Sequence, residues 1–153
     1  MSSNEIAVGE LLYEAAINLT KVTEYGVSFE ALAGGQTAPP PEGARFDVAV
    51  EGNLQGSKLN GRITGVDYIH VRADGRFQLH IHGEVTTEDE AKIALFAEGI
   101  STPGEEPGIF NLRENGTLTT SYPDYSWVNQ LQLWAQGTVN LATGKINLKV
   151  YAA

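Results

Sequence analysis

The stretch 65–87, G-V-D-Y-I-H-V-R-A-D-G-R-F-Q-L-H-I-H-G-E-V-T-T, limits the fold more than any other part of the chain. It reads as two β-strands joined at Asp74-Gly75, a dipeptide suited to tight hairpins because such turns need positive φ at their centre. With Asp74 and Gly75 as the two central residues, Ala73 faces Arg76 and the register places Asp67 opposite His82. Side chains alternate with period two, so one face carries Tyr68, His70, Arg72, Phe77, Leu79 and Ile81. The other carries Asp67, Ile69, Val71, Gln78, His80 and His82, with Glu84 further along. Two histidines and two carboxylates among aliphatic residues make this second face the most informative constellation in the chain.

The remaining sequence reads as further strands around that hairpin. Residues 10–23 fit a strand, with Tyr13, Ala15, Ile17 and Leu19 alternating, although Leu11, Leu12, Ala15 and Ala16 would also suit a helical face. Residues 33–43 form a Gly/Pro loop, of the kind that often makes a lid or rim, because three consecutive prolines cannot sit inside a sheet. Residues 45–51 read as a strand, and the acidic turn 87–90 leads to another at 91–99. A second Pro/Gly loop covers 101–108, and strands follow at 109–121 and 131–141. The last hairpin turns at Thr143-Gly144 and puts Val139, Leu141, Ile146, Leu148 and Val150 on one face. Eight or nine strands without a long helix predict an all-β, antiparallel up-and-down barrel over residues 1–153 as a single domain. A β-sandwich is the alternative. Closure removes the edges an open sheet would expose, and about eight strands leave room for side chains or one small ligand.

Composition narrows the partners. A formal charge of −9 argues against nucleic acid and anionic membranes, both of which need a basic surface. The chain has no cysteine, so thiolate chemistry is absent. The opening M-S-S-N-E-I has neither a basic region nor an apolar run, so a cytoplasmic location is expected. An apolar outer strand face would suit a homodimer.

A second motif is S-Y-P-D-Y-S-W-V-N-Q at 121–130. Capped by Asp124 or fully extended, it groups Tyr125 with Asn129. One reading makes it a barrel plug, with Trp127 as a core anchor and Asn129 tying off loop backbone. The other makes it one wall of a site.

V-R-A-D-G, T-T-E-D and the later P-D-Y-S-W-V-N-Q-L resemble a family of small proteins known as a domain of unknown function, number 3237, from about Gly52 to the C-terminus. That resemblance implies a lipocalin-like, calycin-type barrel and carries no reaction with it. The family's Gly-Gly-Ala-Asp pattern is matched by Thr64-Gly65-Val66-Asp67, and its Pro-x-Tyr-x-Trp-Leu-Asn by Pro123, Tyr125, Trp127, Val128 and Asn129. Its Leu-Asp-Ala-Arg is replaced here by Leu79-His80-Ile81-His82.

The two-histidine face admits three uses: zinc ligation by His80 and His82 with Asp67 or Glu84, solvated outer residues, or an interior acid/base cluster. The last reading makes the barrel a cofactor-free isomerase, cyclase or lyase for a small apolar or phenolic ligand. Asp67 would orient His82 as general base, with Tyr125 as a further catalytic group. His80, Trp127 and Asn129 would bind the ligand, and no metal is needed. A non-catalytic carrier of the same ligand is the alternative; titratable groups inside the cavity favour the enzyme.

Overall fold

Alternation in the sequence becomes alternation in burial. In the strand Lys92–Pro103, Ile93, Leu95 and Ala97 are buried, while Lys92, Ala94, Phe96 and Glu98 between them are exposed. The computed structural model describes residues 9–152, and eight such strands close an antiparallel barrel in chain order. They are β1 (Glu10–Glu24), β2 (Ala44–Gln55), β3 (Gly61–Val71) and β4 (Phe77–Thr87), then β5 (Lys92–Pro103), β6 (Ile109–Thr119), β7 (Leu133–Asn140) and β8 (Lys145–Ala152). The β1–β8 ladder, from Glu10↔Ala152 to Asn18↔Lys145, completes the ring. No helix among the described residues is long and apolar enough to cross a membrane.

The central hairpin differs from its predicted register by one residue. Val71 faces Phe77, His70 faces Gln78, Asp67 faces Ile81 and Val66 faces His82. The turn has three residues rather than two: Arg72 N–H donates to Arg76 O (2.9 Å), and only Gly75 has positive φ, at 93°. A type I turn closed by a glycine in the left-handed region satisfies Asp-Gly as well as a two-residue turn does. The slip sends the β4 side chains to the opposite faces. Asp67, Ile69 and Val71 therefore share the interior with Phe77, Leu79 and Ile81, whereas His80 and His82 lie outside.

Other boundaries move less. β2 runs on past residue 51 through Gly52 to Gln55, and β5 extends to Pro103, into the 101–108 stretch read as loop. A bulge between Leu11 and Tyr13 lets Leu12 and Tyr13 both turn inward, which breaks strict alternation at the start of β1. The five-residue helix α1 (Phe29–Ala33) precedes the Gly/Pro loop; it is too short to show a helical period. Ser28 caps it, with Oγ accepting from Ala31 N–H at 3.2 Å.

Two apolar clusters fill the two ends of the barrel. One contains Leu54, Leu59, Ile63, Val85, Ile93, Leu118 and Val128; the other contains Phe46, Val48, Ile69, Val71, Leu79 and Phe110. Val50, Ile146 and Leu148 are partly buried and touch both. Strand coiling between β5 and β6 depends on glycine. A Cβ on Gly99 would run into the Arg113 carbonyl oxygen on the facing strand. Gly99→Ala should therefore cost about 1–3 kcal/mol of stability, read as a lowered urea midpoint. The exposed change Ala94→Ser should stay within about 0.5 kcal/mol.

Candidate functional site

Between the two clusters the barrel encloses a cavity of about 110 Å³, lined from all eight strands. Small inward residues leave this space open. Glu114 is flanked in register by Gly99 on β5 and Ala135 on β7, and Ala97 pairs with Gly116 one layer on. With so little side-chain volume there, close packing fails locally. For scale, an apolar cavity of roughly 150 Å³ can hold benzene.

The wall is almost wholly aliphatic and aromatic, yet Asp67, Glu114 and Tyr13 reach into it. Asp67 arrives from β3 opposite Ile81 and accepts the backbone N–H of His80 at 3.0 Å. Glu114 arrives from β6 and makes no side-chain hydrogen bond to another described residue. No buried polar side-chain atom among the described residues is sealed off without a partner, so the carboxyl oxygens of Glu114 open onto the cavity. Burial makes ionisation costly for both acids. It lifts Asp67 from 3.8 to about 7, against the opposing pull of the His80 N–H. Burial first, and the nearby Asp67 charge second, lift Glu114 from 4.5 to about 8. Tyr13 is held protonated, by burial first and by Glu114 second.

Of the six residues singled out in the sequence, only Asp67 faces the cavity. His80 and His82 are exposed on the outer surface, where the His82 ring meets Tyr68 and Phe96 edge-on at 5.8 and 5.5 Å. His80 serves the site through its backbone alone. Tyr125, Trp127 and Asn129 sit in a 3-10 helix (Pro123–Gln130) that plugs one end. Asn129 bonds Thr120 in both directions, accepting its N–H and donating to its C=O, each at 2.8 Å. Tyr125 donates to Asp89 at 2.7 Å. The plug's fully buried anchor is Val128, and Trp127 packs half-buried beside it. The Asp67–His82 pair and the Tyr125–Asn129 wall are thus replaced by Asp67, Glu114 and Tyr13. Among the described residues, no three His, Asp or Glu side chains are grouped to hold a metal ion.

Glu114 had a signal in the sequence. Phe110, Leu112, Glu114, Gly116 and Leu118 alternate as one inward face, and an acid in that series has no solvent to point to.

A family model described as protein of unknown function (DUF3237) matches residues 27–153. A protein with unknown function from Clostridium acetobutylicum ATCC 824 has a solved structure with a TM-score of 0.76 and 21% identity, covering 94% of this chain and 96% of its own. A beta-barrel like protein from Acinetobacter baumannii AYE gives 0.73 at 23% identity, covering 99% of each chain. An enzyme from Penicillium herquei gives 0.60 at 18% identity, covering 98% of this chain and 99% of its own. At these identities the likeness is one of fold. No curated protein matches the chain.

The raised acids make stability depend on pH with a definite sign. Each carboxyl is protonated in the folded chain up to about pH 7 or 8 but ionised above about pH 4 when unfolded. Their stabilising contribution is therefore complete at about pH 4 and is lost as pH rises through 7 and 8. The slope should approach about 1.4 kcal/mol per pH unit per group. Urea unfolding between those limits should show the fall, and Asp67→Asn with Glu114→Gln should flatten it.

Proposed function

The chain belongs to the family described as protein of unknown function (DUF3237), and from that premise we propose that its barrel binds a small, largely apolar ligand and acts on it by acid/base chemistry. The supporting observation is the carboxyl pair Asp67 and Glu114 inside an apolar cavity. Two carboxyl groups in low dielectric do not both ionise readily, so near neutrality the pair holds one proton between them. Asp67, whose carboxylate accepts the His80 N–H, is the base; Glu114, which has no such donor, is the acid.

The two roles need no cofactor. Asp67 takes a proton from a C–H or O–H of the substrate, and Glu114 delivers one to another atom. The substrate keeps its proton count, so the net change is an isomerisation, a ring closure or an elimination. A proton passing from Asp67 back to Glu114 resets the pair. Tyr13, held protonated, can donate a hydrogen bond to a carbonyl or phenolic oxygen as charge builds there. The ligand should be uncharged, since an anion would add negative charge beside Asp67 in a chain already at −9. The carrier reading lacks a reason for two acids in an otherwise apolar lining. The neighbour from Penicillium herquei, described as an enzyme, shares the fold, so the fold is compatible with catalysis.

A thermal-shift comparison tests the ligand class. Uncharged ketones and phenols should raise the melting temperature by mass action, and the carboxylates of the same carbon skeletons should not. Equal stabilisation by the anions would defeat the proposal. For a substrate found this way, Asp67→Asn should lower kcat by about 10²–10⁴-fold while binding persists.

A further inference from the structure

The two ends of the barrel are closed by different means. At one end the 3-10 helix is tied down by directional bonds. They run from Asn129 to Thr120, from Tyr125 to Asp89, and from Gln132 Nε2 to Gly116 O at 3.1 Å. Thr120 is itself fixed by its Oγ1–H to Lys92 O at 2.7 Å. Opening that end would break every one of them.

The other end is covered by α1 and the loop after it. From Val27 to Glu42, the hydrogen bonds among the described residues that leave the segment are two, both at its ends: Phe29 N–H to Glu24 Oε2 at 2.6 Å and Gly43 N–H to Pro40 O at 2.9 Å. The backbone bonds of α1 stay inside the segment, as in Leu32 N–H to Ser28 O and Gly34 N–H to Glu30 O. What holds it down is apolar contact: buried Leu32, and Phe29 edge-on to Phe46 at 5.0 Å. Gly26 and Gly43 bracket the segment with φ of 94° and 83°, conformations that glycine adopts without strain. Phe29 and Ala33 also form part of the cavity wall.

We infer that ligands reach the cavity past α1, and that Phe29 and Ala33 form the movable wall that selects the ligand's apolar end. Non-directional contacts can part and re-form without leaving buried polar groups unpaired, whereas lifting the bonded end would strip the buried Thr120 of its Asn129 partner. The apolar cluster around Leu32 of α1 includes Phe29, Ala33, Phe77, Phe110 and Leu141 of the cavity wall, with no charged side chain among them. A ligand therefore enters with its hydroxyl or carbonyl leading towards Asp67 and Glu114, and its uncharged tail stays against α1. The inference rests on the interior being a ligand site, but passage can be measured without any chemistry there.

The chain has no cysteine, so Ser101→Cys places a single thiol on the cavity wall, at a buried position. Its rate of reaction with neutral 4,4′-dithiodipyridine reports access. Adding Leu32→Ala should speed the reaction by about tenfold or more, while Asn129→Ala at the bonded end should leave it unchanged. Phe29→Trp, which enlarges the inner face of α1, should slow it and keeps the test alive should Leu32→Ala not fold. A rise in both loosening variants would report general unfolding and overturn the inference. So would a rise with Asn129→Ala alone, or no response to either α1 change. Full turnover in Asp67→Asn, with labelling still responding to the α1 changes, would overturn the acid/base reading and leave the route standing.

Discussion

Closure of the sheet by the β1–β8 ladder is the constraint on which everything else depends. Once the last strand pairs with the first, no edge remains to hydrogen-bond elsewhere, and every strand has one face sealed from water. Which residues occupy that face is decided by period-two alternation, interrupted on β1 by a bulge that admits Leu12 and Tyr13 together. Glycines at tight strand crossings, such as Gly99 against Arg113, let the wall coil enough to close. The same small residues leave the space beside Glu114 unfilled.

Within that sealed face, Asp67 and Glu114 are a local conflict with the fold. A barrel built only for stability would carry aliphatic side chains there, because buried carboxyls cost free energy as ions and lose hydrogen bonds as neutral acids. Asp67 recovers part of that cost through the His80 N–H; Glu114 has no such compensation within the described chain. Groups held at a cost, beside a cavity and with displaced pKa values, mark a functional site more often than a structural one. By contrast, the polar groups of Asn129, Tyr125 and Asp89 are mutually satisfied, as parts that hold a plug in place should be.

The barrel was legible because alternation and turn residues are local properties. Strand count, order and the inward face of the last hairpin all follow from them. The site was legible only in part. Asp67 lies on its predicted strand and shares a face with Ile69 and Val71, as expected. The choice between a two- and a three-residue turn at Asp74-Gly75, however, decided which half of β4 joined it. Asp-Gly is compatible with both, and a shift of one residue exchanges His80 and His82 for Leu79 and Ile81. Glu114 sits 47 positions beyond Asp67 and meets it only because the ring closes, so no local pattern could pair them. The α1 cover escaped for another reason: five residues span barely more than one helical turn.

The central claim is that two carboxyl groups share one interior and ionise with difficulty. Carboxyl ¹³C chemical shifts of Asp67 and Glu114, followed against pH, measure this directly. The account predicts midpoints near 7 for Asp67 and near 8 for Glu114, with the Glu114 midpoint falling in Asp67→Asn as the neighbouring charge is removed. Midpoints near the ordinary 3.8 and 4.5, indifferent to the substitution, would contradict it.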